Sequence, residues 1–271
     1  FNKNFLDFLK EYDFEFYSDI KSISSETRTS IPNLVNFSKD KDIRFKLLSK
    51  SKNYFTEFEL NQNLFFERYK NISVFQNMYL NYCNLDNIYK CQTFNPFEKS
   101  KYLAGYKDTN LTKIISIWKL NGSIFSTFVW RSLRELGKID SILTPEGEKI
   151  KILNLLENVK KDIYSKNFDL IFVHTLVPHR PYGFDKDCNY DGSLSLRNHT
   201  YSKSKHFKHH NIERNCVVFF LRKFLGELKK NNFLNEINLT IMSDHGSRID
   251  KSENSSLSSI FAFRNKDTFY K

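Results

Sequence analysis

Ile237-Asn-Leu-Thr-Ile-Met-Ser-Asp-His-Gly246 reads as a short apolar strand that runs into an acid and an imidazole. Asp169-Leu-Ile-Phe-Val-His174 has the same form, an apolar run closed by a polar side chain. Runs of this length and composition predict buried strands. In an open α/β sheet, functional groups collect at the carboxyl ends of the strands. Outward from these two strands, helices and strands alternate. Residues 1–12 predict an amphipathic helix with Phe5, Phe8, Leu9 and Tyr12 on one face, and 14–17 alternate like a strand. A helix is expected over 27–37, with Pro32 near its first turn, where proline is tolerated. A helix end at 64–69, a strand at 72–75 and an irregular stretch at 76–110 follow. Two apolar helices are expected within 111–136. Thr144-Pro145-Glu146 has the cap, proline and acid of a helix start, and that helix runs to about residue 165. A His- and Lys-rich loop covers 175–210, a helix 212–230 and a last strand 258–263. The alternation predicts an α/β fold with a mostly parallel sheet. With no repeat and no linker, residues 1–271 read as a single domain.

Composition narrows the class. Hydrophobic residues make up 40% and the chain has 27 Phe, too rich a core for a disordered protein. Only 8 Gly and 5 Pro exclude collagen-like and low-complexity chains. No uninterrupted apolar run approaches the roughly 18 residues that span a bilayer. The 42 basic and 31 acidic residues leave a charge of +11. That charge is mostly scattered Lys without a long basic block, so no nucleic-acid partner is expected. A mild attraction for anionic lipid or phosphate groups fits better. Cys83, Cys91, Cys188 and Cys216 contain no C-x-x-C, which excludes a zinc knuckle. Local pairing, Cys83–Cys91 and Cys188–Cys216, would close short loops and suits an oxidising compartment; four reduced thiols are the rival reading.

The chemistry sits in three places. Asp244 and His245 can reach one metal from a strand end, the carboxylate supplying charge and the imidazole nitrogen, a mixture suited to zinc. The plainer reading is a turn cap beside a surface histidine. His174 and His179 stand in His174-Thr-Leu-Val-Pro-His179-Arg-Pro-Tyr182. Ser24-Ser25-Glu26-Thr27-Arg28-Thr29-Ser30-Ile31-Pro32 puts hydroxyls at a helix start, where unpaired N–H groups bind anions. A threonine hydroxyl becomes a nucleophile when metal coordination lowers its pKa; simple capping by Ser24 or Ser25 is the alternative. His199, His206, His209 and His210 form a tract that reads as solvent-facing. Asp185 and Asp187 read as a turn, Trp118 and Trp130 as core, and Arg28 and Arg180 as solvated charges that can also clamp an anion.

In this order, T-x-x-S-x-P, H-x4-H-x-P-Y and S-D-H-G resemble the alkaline phosphatase and sulfatase-like superfamily, near the phosphoethanolamine and glycerol-phosphate transferases of bacterial envelopes. The resemblance covers most of the chain. It implies a mostly parallel central sheet flanked by helices on both faces, incomplete at both ends here. It implies Thr27 as nucleophile and metal ligand, with Thr29 the runner-up. Asp244 and His245 become metal ligands, and His174 and His179 substrate-binding or second-metal residues. The implied cofactor is a divalent metal, zinc first, with manganese or calcium as alternatives. The implied reaction is phosphoryl transfer or hydrolysis on phosphate esters, less readily sulfate esters, of envelope lipids or glycans. A catalytically degenerate domain that binds glycans or lipid headgroups is the alternative. The resemblance places the domain outside the cytoplasm, with a membrane anchor and an acidic metal ligand upstream of Phe1. The chain departs from sulfatases proper, where a Cys or Ser matures to formylglycine; Thr-Arg-Thr-Ser-Ile stands here instead.

Overall fold

A computed structural model describes residues 3–52, 56–77, 79–93, 152–179, 182–189, 201–249 and 253–266. The chain forms two compact units. The first holds Phe1–Thr93, Asn158–His174 and Phe220–Lys271; the second holds Phe94–Glu157 and Thr175–Phe219.

In the first unit, helix α1 (Lys3–Glu11) buries Phe8 and Leu9, the apolar face set by its spacing. Tyr12, just past its end, donates its hydroxyl to the Arg222 carbonyl at 3.0 Å. Strand β1 (Glu15–Phe16) pairs antiparallel with β9 (Phe261–Arg264), and β9 with β8 (Leu239–Met242). Arg264 is fully buried on β9. Its guanidinium donates to the carbonyls of Tyr12 and Leu234 and to Asn235 Oδ1, which offsets the cost of burying the charge.

Helix α2 (Thr27–Val35) follows, then α3 (Ile43–Leu47), β2 (Leu48–Lys50) and β3 (Phe58–Leu60). Strand β3 pairs antiparallel with β2 and parallel with β5 (Leu80–Asn81). Strand β4 (Ile72–Gln76) is the centre of a parallel trio, between β6 (Ile88–Thr93) and β7 (Leu170–His174). All five of its residues are buried, as expected of a parallel strand covered on both faces. Ser73 and Lys90 both donate to the buried Asp162 carboxylate, at 2.6 Å each, from helix α4 (Ile152–Ser165). Ile31, Val35, Leu60, Phe66, Ile72, Val74, Leu80 and Tyr82 form one core cluster, so α2 is anchored on β3, β4 and β5. At about 25 cal/mol per Å² of apolar surface, each such side chain contributes about 1.5–3 kcal/mol.

Two segments near the site are laced together by main-chain contacts. Lys21 bridges Ser258, Ser22 N–H donates to the Leu257 carbonyl at 2.7 Å, and Ser259 N–H donates to the Ile20 carbonyl at 3.0 Å. Helix α5 (Lys203–Lys230) ends in this unit, and α6 (Glu253–Leu257) precedes β9.

The second unit is described over 152–157, 175–179, 182–189 and 201–219. Cys188 and Cys216 form a disulfide there, and Cys83 and Cys91 form another in the first unit. Paired cysteines point to an oxidising, extracytoplasmic compartment. Among the described residues no helix is long and apolar enough to cross a membrane.

The mixed α/β class is what the sequence predicts. Parallel pairing, however, is confined to β6-β4-β7 and β3-β5, and the described strands lie in three separate three-stranded sheets. Several element expectations are corrected. Pro32 is the sixth of nine residues in α2, not in its first turn, so the Arg28 carbonyl has no α-helical donor. The side-chain amides of Asn33 and Asn36 meanwhile bond the Thr29 and Pro32 carbonyls. Residues 66–68 form one 3₁₀ turn rather than a helix end. The stretch read as irregular contains β5 and β6. The loop expected to reach 210 ends at Lys203, where α5 begins. The helices expected within 111–136, the helix start at Thr144, and Trp118, Trp130, Arg180 and His199 lie outside the described residues.

Candidate active site

Helix α2 starts at Thr27, and no side chain caps it. The expected capping by Ser24 or Ser25 is not what forms. Ser24 Oγ instead accepts from Glu26 N–H at 3.1 Å, a turn just before the helix. Thr27 is left with its hydroxyl turned away from its own helix. Thr27 Oγ1 donates to Asp244 Oδ2 at 2.6 Å, across 217 residues of chain.

Asp244 arrives from the carboxyl end of β8. Ser243 fixes that exit on both sides, its N–H donating to the Ile260 carbonyl at 3.0 Å and its hydroxyl accepting from Ile260 N–H at 2.8 Å. Asp244 Oδ1 accepts from His245 N–H at 3.0 Å, so one oxygen caps the turn and the other faces Thr27. The turn-cap reading of Asp244 thus applies to Oδ1, while Oδ2 is bonded to Thr27. Gly246 makes the sharp turn that follows. Its N–H donates to the Ser256 carbonyl at 2.8 Å, and a Cβ here would stand 2.0 Å from the Ser255 carbonyl oxygen. Only glycine fits without moving backbone.

His245 is not a surface histidine: its side chain is 8% exposed and that of Asp244 is 22%. His245 Nδ1 lies 2.7 Å from the Gly246 carbonyl, which only accepts, so Nδ1 carries the proton. In the neutral ring Nε2 then presents a lone pair, 3.6 Å from Asp244 Oδ2. Arg248 Nη2 donates towards the same nitrogen at 3.4 Å.

His174 ends β7, brought level with Gln76 by the parallel register. Its Nδ1 shares a 2.8 Å hydrogen bond with the fully buried Tyr82 hydroxyl. Burial holds the His174 pKa below its ordinary value, and the Asp244 charge pulls the other way. Burial pushes the Tyr82 phenol well above its usual value, with Asp244 adding to the rise. Asp244 thus acts electrostatically on both. Burial raises the Glu57 pKa, with the Arg28 charge opposing it. Burial also raises Tyr79, which feels Arg28, Glu57, Glu26 and Arg248 as well. Arg28 itself is held by Glu26 at 3.5 Å and lies over the Phe58 ring.

The structure therefore joins Thr27, Asp244 and His245, and sets His174 within electrostatic reach of Asp244. Thr29 is buried in α2 rather than facing the acid. His179 belongs to the second unit, in the turn after the cis Val177–Pro178 bond, with its N–H on the Leu176 carbonyl. In that unit Asp185 Oδ1 accepts from the N–H groups of Asp187 and Asn189, a turn as expected. His206, His209 and His210 are helical on α5 and pack about the Tyr182 ring, so the tract is not an open loop. Tyr82 and Arg248 were not singled out in the sequence, because each joins the site through tertiary contact without a motif.

A carboxylate and an imidazole are donor types that zinc takes. Among the described residues no three His, Cys, Asp or Glu side chains gather for a metal. Asp244 Oδ2 nevertheless lies 2.6 Å from the Thr27 hydroxyl and 3.6 Å from His245 Nε2, a mixed oxygen and nitrogen set. The Nδ1–H bond to a carbonyl is the outer contact that orients a ligating imidazole. Compared with protein-family models, curated proteins and solved structures, the chain matches none.

Proposed function

We propose that this protein is a metal-dependent phosphoryl-transfer enzyme or hydrolase, acting on phosphate esters of envelope lipids or glycans through Thr27. The hydrogen bond from Thr27 Oγ1 to Asp244 Oδ2 carries the reading. It joins a hydroxyl, a carboxylate and, through Asp244, an imidazole from opposite ends of the chain, as a site with an activated alcohol needs.

A divalent cation, zinc in first place, supplies charge stabilisation when held by Thr27, Asp244 and His245. The chain's own residues do the rest. Asp244 Oδ2 orients the Thr27 hydroxyl and draws its proton. Thr27 Oγ1 forms a bond to phosphorus as the bond to the leaving oxygen breaks, and the leaving oxygen takes the proton that Asp244 drew from Thr27. Water or an acceptor hydroxyl then cleaves the phosphothreonine ester and restores Thr27. His174, neutral and tied to Tyr82, is assigned to substrate contact. The remaining fold expectation is part of the same proposal: the parallel trio β6-β4-β7, with two site strands ending in His174 and Asp244, supports an alkaline phosphatase-like architecture. The disulfides support a place in the cell envelope outside the cytoplasm.

A domain that binds headgroups or glycans without turnover is the second reading. It is favoured by the way both Asp244 oxygens are already satisfied within the chain. Metal-supplemented whole protein, incubated with a chromogenic phosphodiester and examined by mass spectrometry, separates the two. Turnover with phosphate on Thr27 supports the enzyme; stoichiometric zinc with neither turnover nor adduct supports the binder.

A further inference from the structure

Arg248 differs from Arg28, Arg44 and Arg222 in its partners. Arg28 and Arg44 share Glu26, and Arg222 pairs with Glu11. Arg248 is exposed, and among the described residues no carboxylate pairs with it. Among the described residues its one side-chain hydrogen bond runs from Nη2 to His245 Nε2 at 3.4 Å, longer than the usual range of about 2.7–3.2 Å and so a weak hold. A cation parked on the lone pair of a candidate metal ligand is unfavourable once a metal arrives, because the two positive charges repel. It is favourable once an anion arrives, because the guanidinium fork matches phosphate oxygens. Arg248 also lies close enough for its charge to act on Tyr79, at the side where Arg28 and Glu57 stand.

We propose that Arg248 is the anion clamp of this site, parked on His245 Nε2 until a divalent cation takes that nitrogen, whereupon its guanidinium turns to the oxygens of the bound phosphoryl group. The inference rests on the metal-dependent reading above and assigns a positioning residue to it.

The signature is an opposite change in two affinities. Removing the clamp helps the cation and harms the anion, whereas a structural defect harms both. In the full chain, zinc affinity is measured by chelator competition, and inorganic phosphate affinity by titration of the zinc-loaded protein. Arg248→Ala should bind zinc about three- to tenfold more tightly and phosphate about tenfold more weakly. Arg248→Lys should restore part of the phosphate affinity through charge, without the fork. Arg68→Ala, an exposed arginine over Phe37, removes the same charge elsewhere and should change neither. If the wild type binds zinc but Arg248→Ala shifts both affinities the same way, or neither, the clamp is overturned and the enzyme reading stands. An Arg68→Ala effect equal to that of Arg248→Ala also overturns it, as a general field effect. Wild-type protein that takes up no zinc overturns both.

Discussion

Thr27 and Asp244 stand 217 residues apart in the chain and 2.6 Å apart in space, hydroxyl to carboxylate. The contact spans the start of α2 and the end of β8, so both elements must be correctly placed for it to form. In partly buried surroundings a hydrogen bond to a charged acceptor is worth about 1.5–3 kcal/mol.

Thr27→Ala removes the proposed nucleophile. Turnover of a chromogenic phosphodiester should fall by at least about a thousandfold, while Thr27→Ser keeps the hydroxyl and retains measurable rate. Unfolding in urea should show a loss no larger than the hydrogen bond. Wild-type rates in the alanine variant would remove Thr27 from the mechanism.

Gly246→Ala tests the turn behind His245. The new Cβ meets the Ser255 carbonyl oxygen at 2.0 Å and the Ser258 carbonyl oxygen at 2.5 Å, both main chain, so no side chain can yield. A loss of about 1–3 kcal/mol in urea unfolding is expected. Zinc affinity should fall with it, since Asp244 and His245 are displaced. An unchanged midpoint would contradict the crowding.

His174 gives a pH dependence of known sign. Its folded pKa lies below the ordinary histidine value of about 6.5, so the unfolded chain binds more protons in the window between the two values. Stability is therefore present above about pH 6.5 and declines as pH falls towards the folded value. His174→Gln should flatten this acid-side decline, read from urea midpoints at pH 7.5 and 5.5. An equal slope in both proteins would count against burial as the cause.

The two disulfides should differ in weight. Chain-entropy loss grows with loop size, and the separations are 8 residues for Cys83–Cys91 and 28 for Cys188–Cys216. Replacing both members by Ala should cost about 2.5 kcal/mol for the first pair and about 3.5 kcal/mol for the second. Calorimetric melts of the two double variants measure the order; a reversed order would argue against an entropic account.

Much of the frame was legible where burial writes itself into composition. Strands β7 and β8 are apolar runs with one polar terminus, and both form where expected. Helix α1 shows its buried face in the spacing of Phe8 and Leu9. Legibility failed where local composition and tertiary role diverge. The first turns of α5 are Lys, Ser and His, polar enough to read as loop, yet His209 stacks on Tyr201 and Lys205 sits over the same ring. Strand β5 is two residues long, too short for any period, and gains its place by pairing with β3. Within the site, the ordered motifs brought Thr27, Asp244 and His245 together because each stands at the end of a readable element. Tyr82 and Arg248 were invisible, since a buried phenol and an exposed guanidinium carry no signature until their neighbours are known.

The lacing of residues 20–22 to 257–259 has a mechanical consequence. The strip leading into α2 and the strip leaving the Asp-His turn behave as the two banks of one bridge. A fluctuation that lifts either bank carries the other along, so the gap between alcohol and acid is insulated from breathing elsewhere in the unit. The amide protons of Ser22 and Ser259 should accordingly exchange with solvent through a shared opening, at closely matched rates.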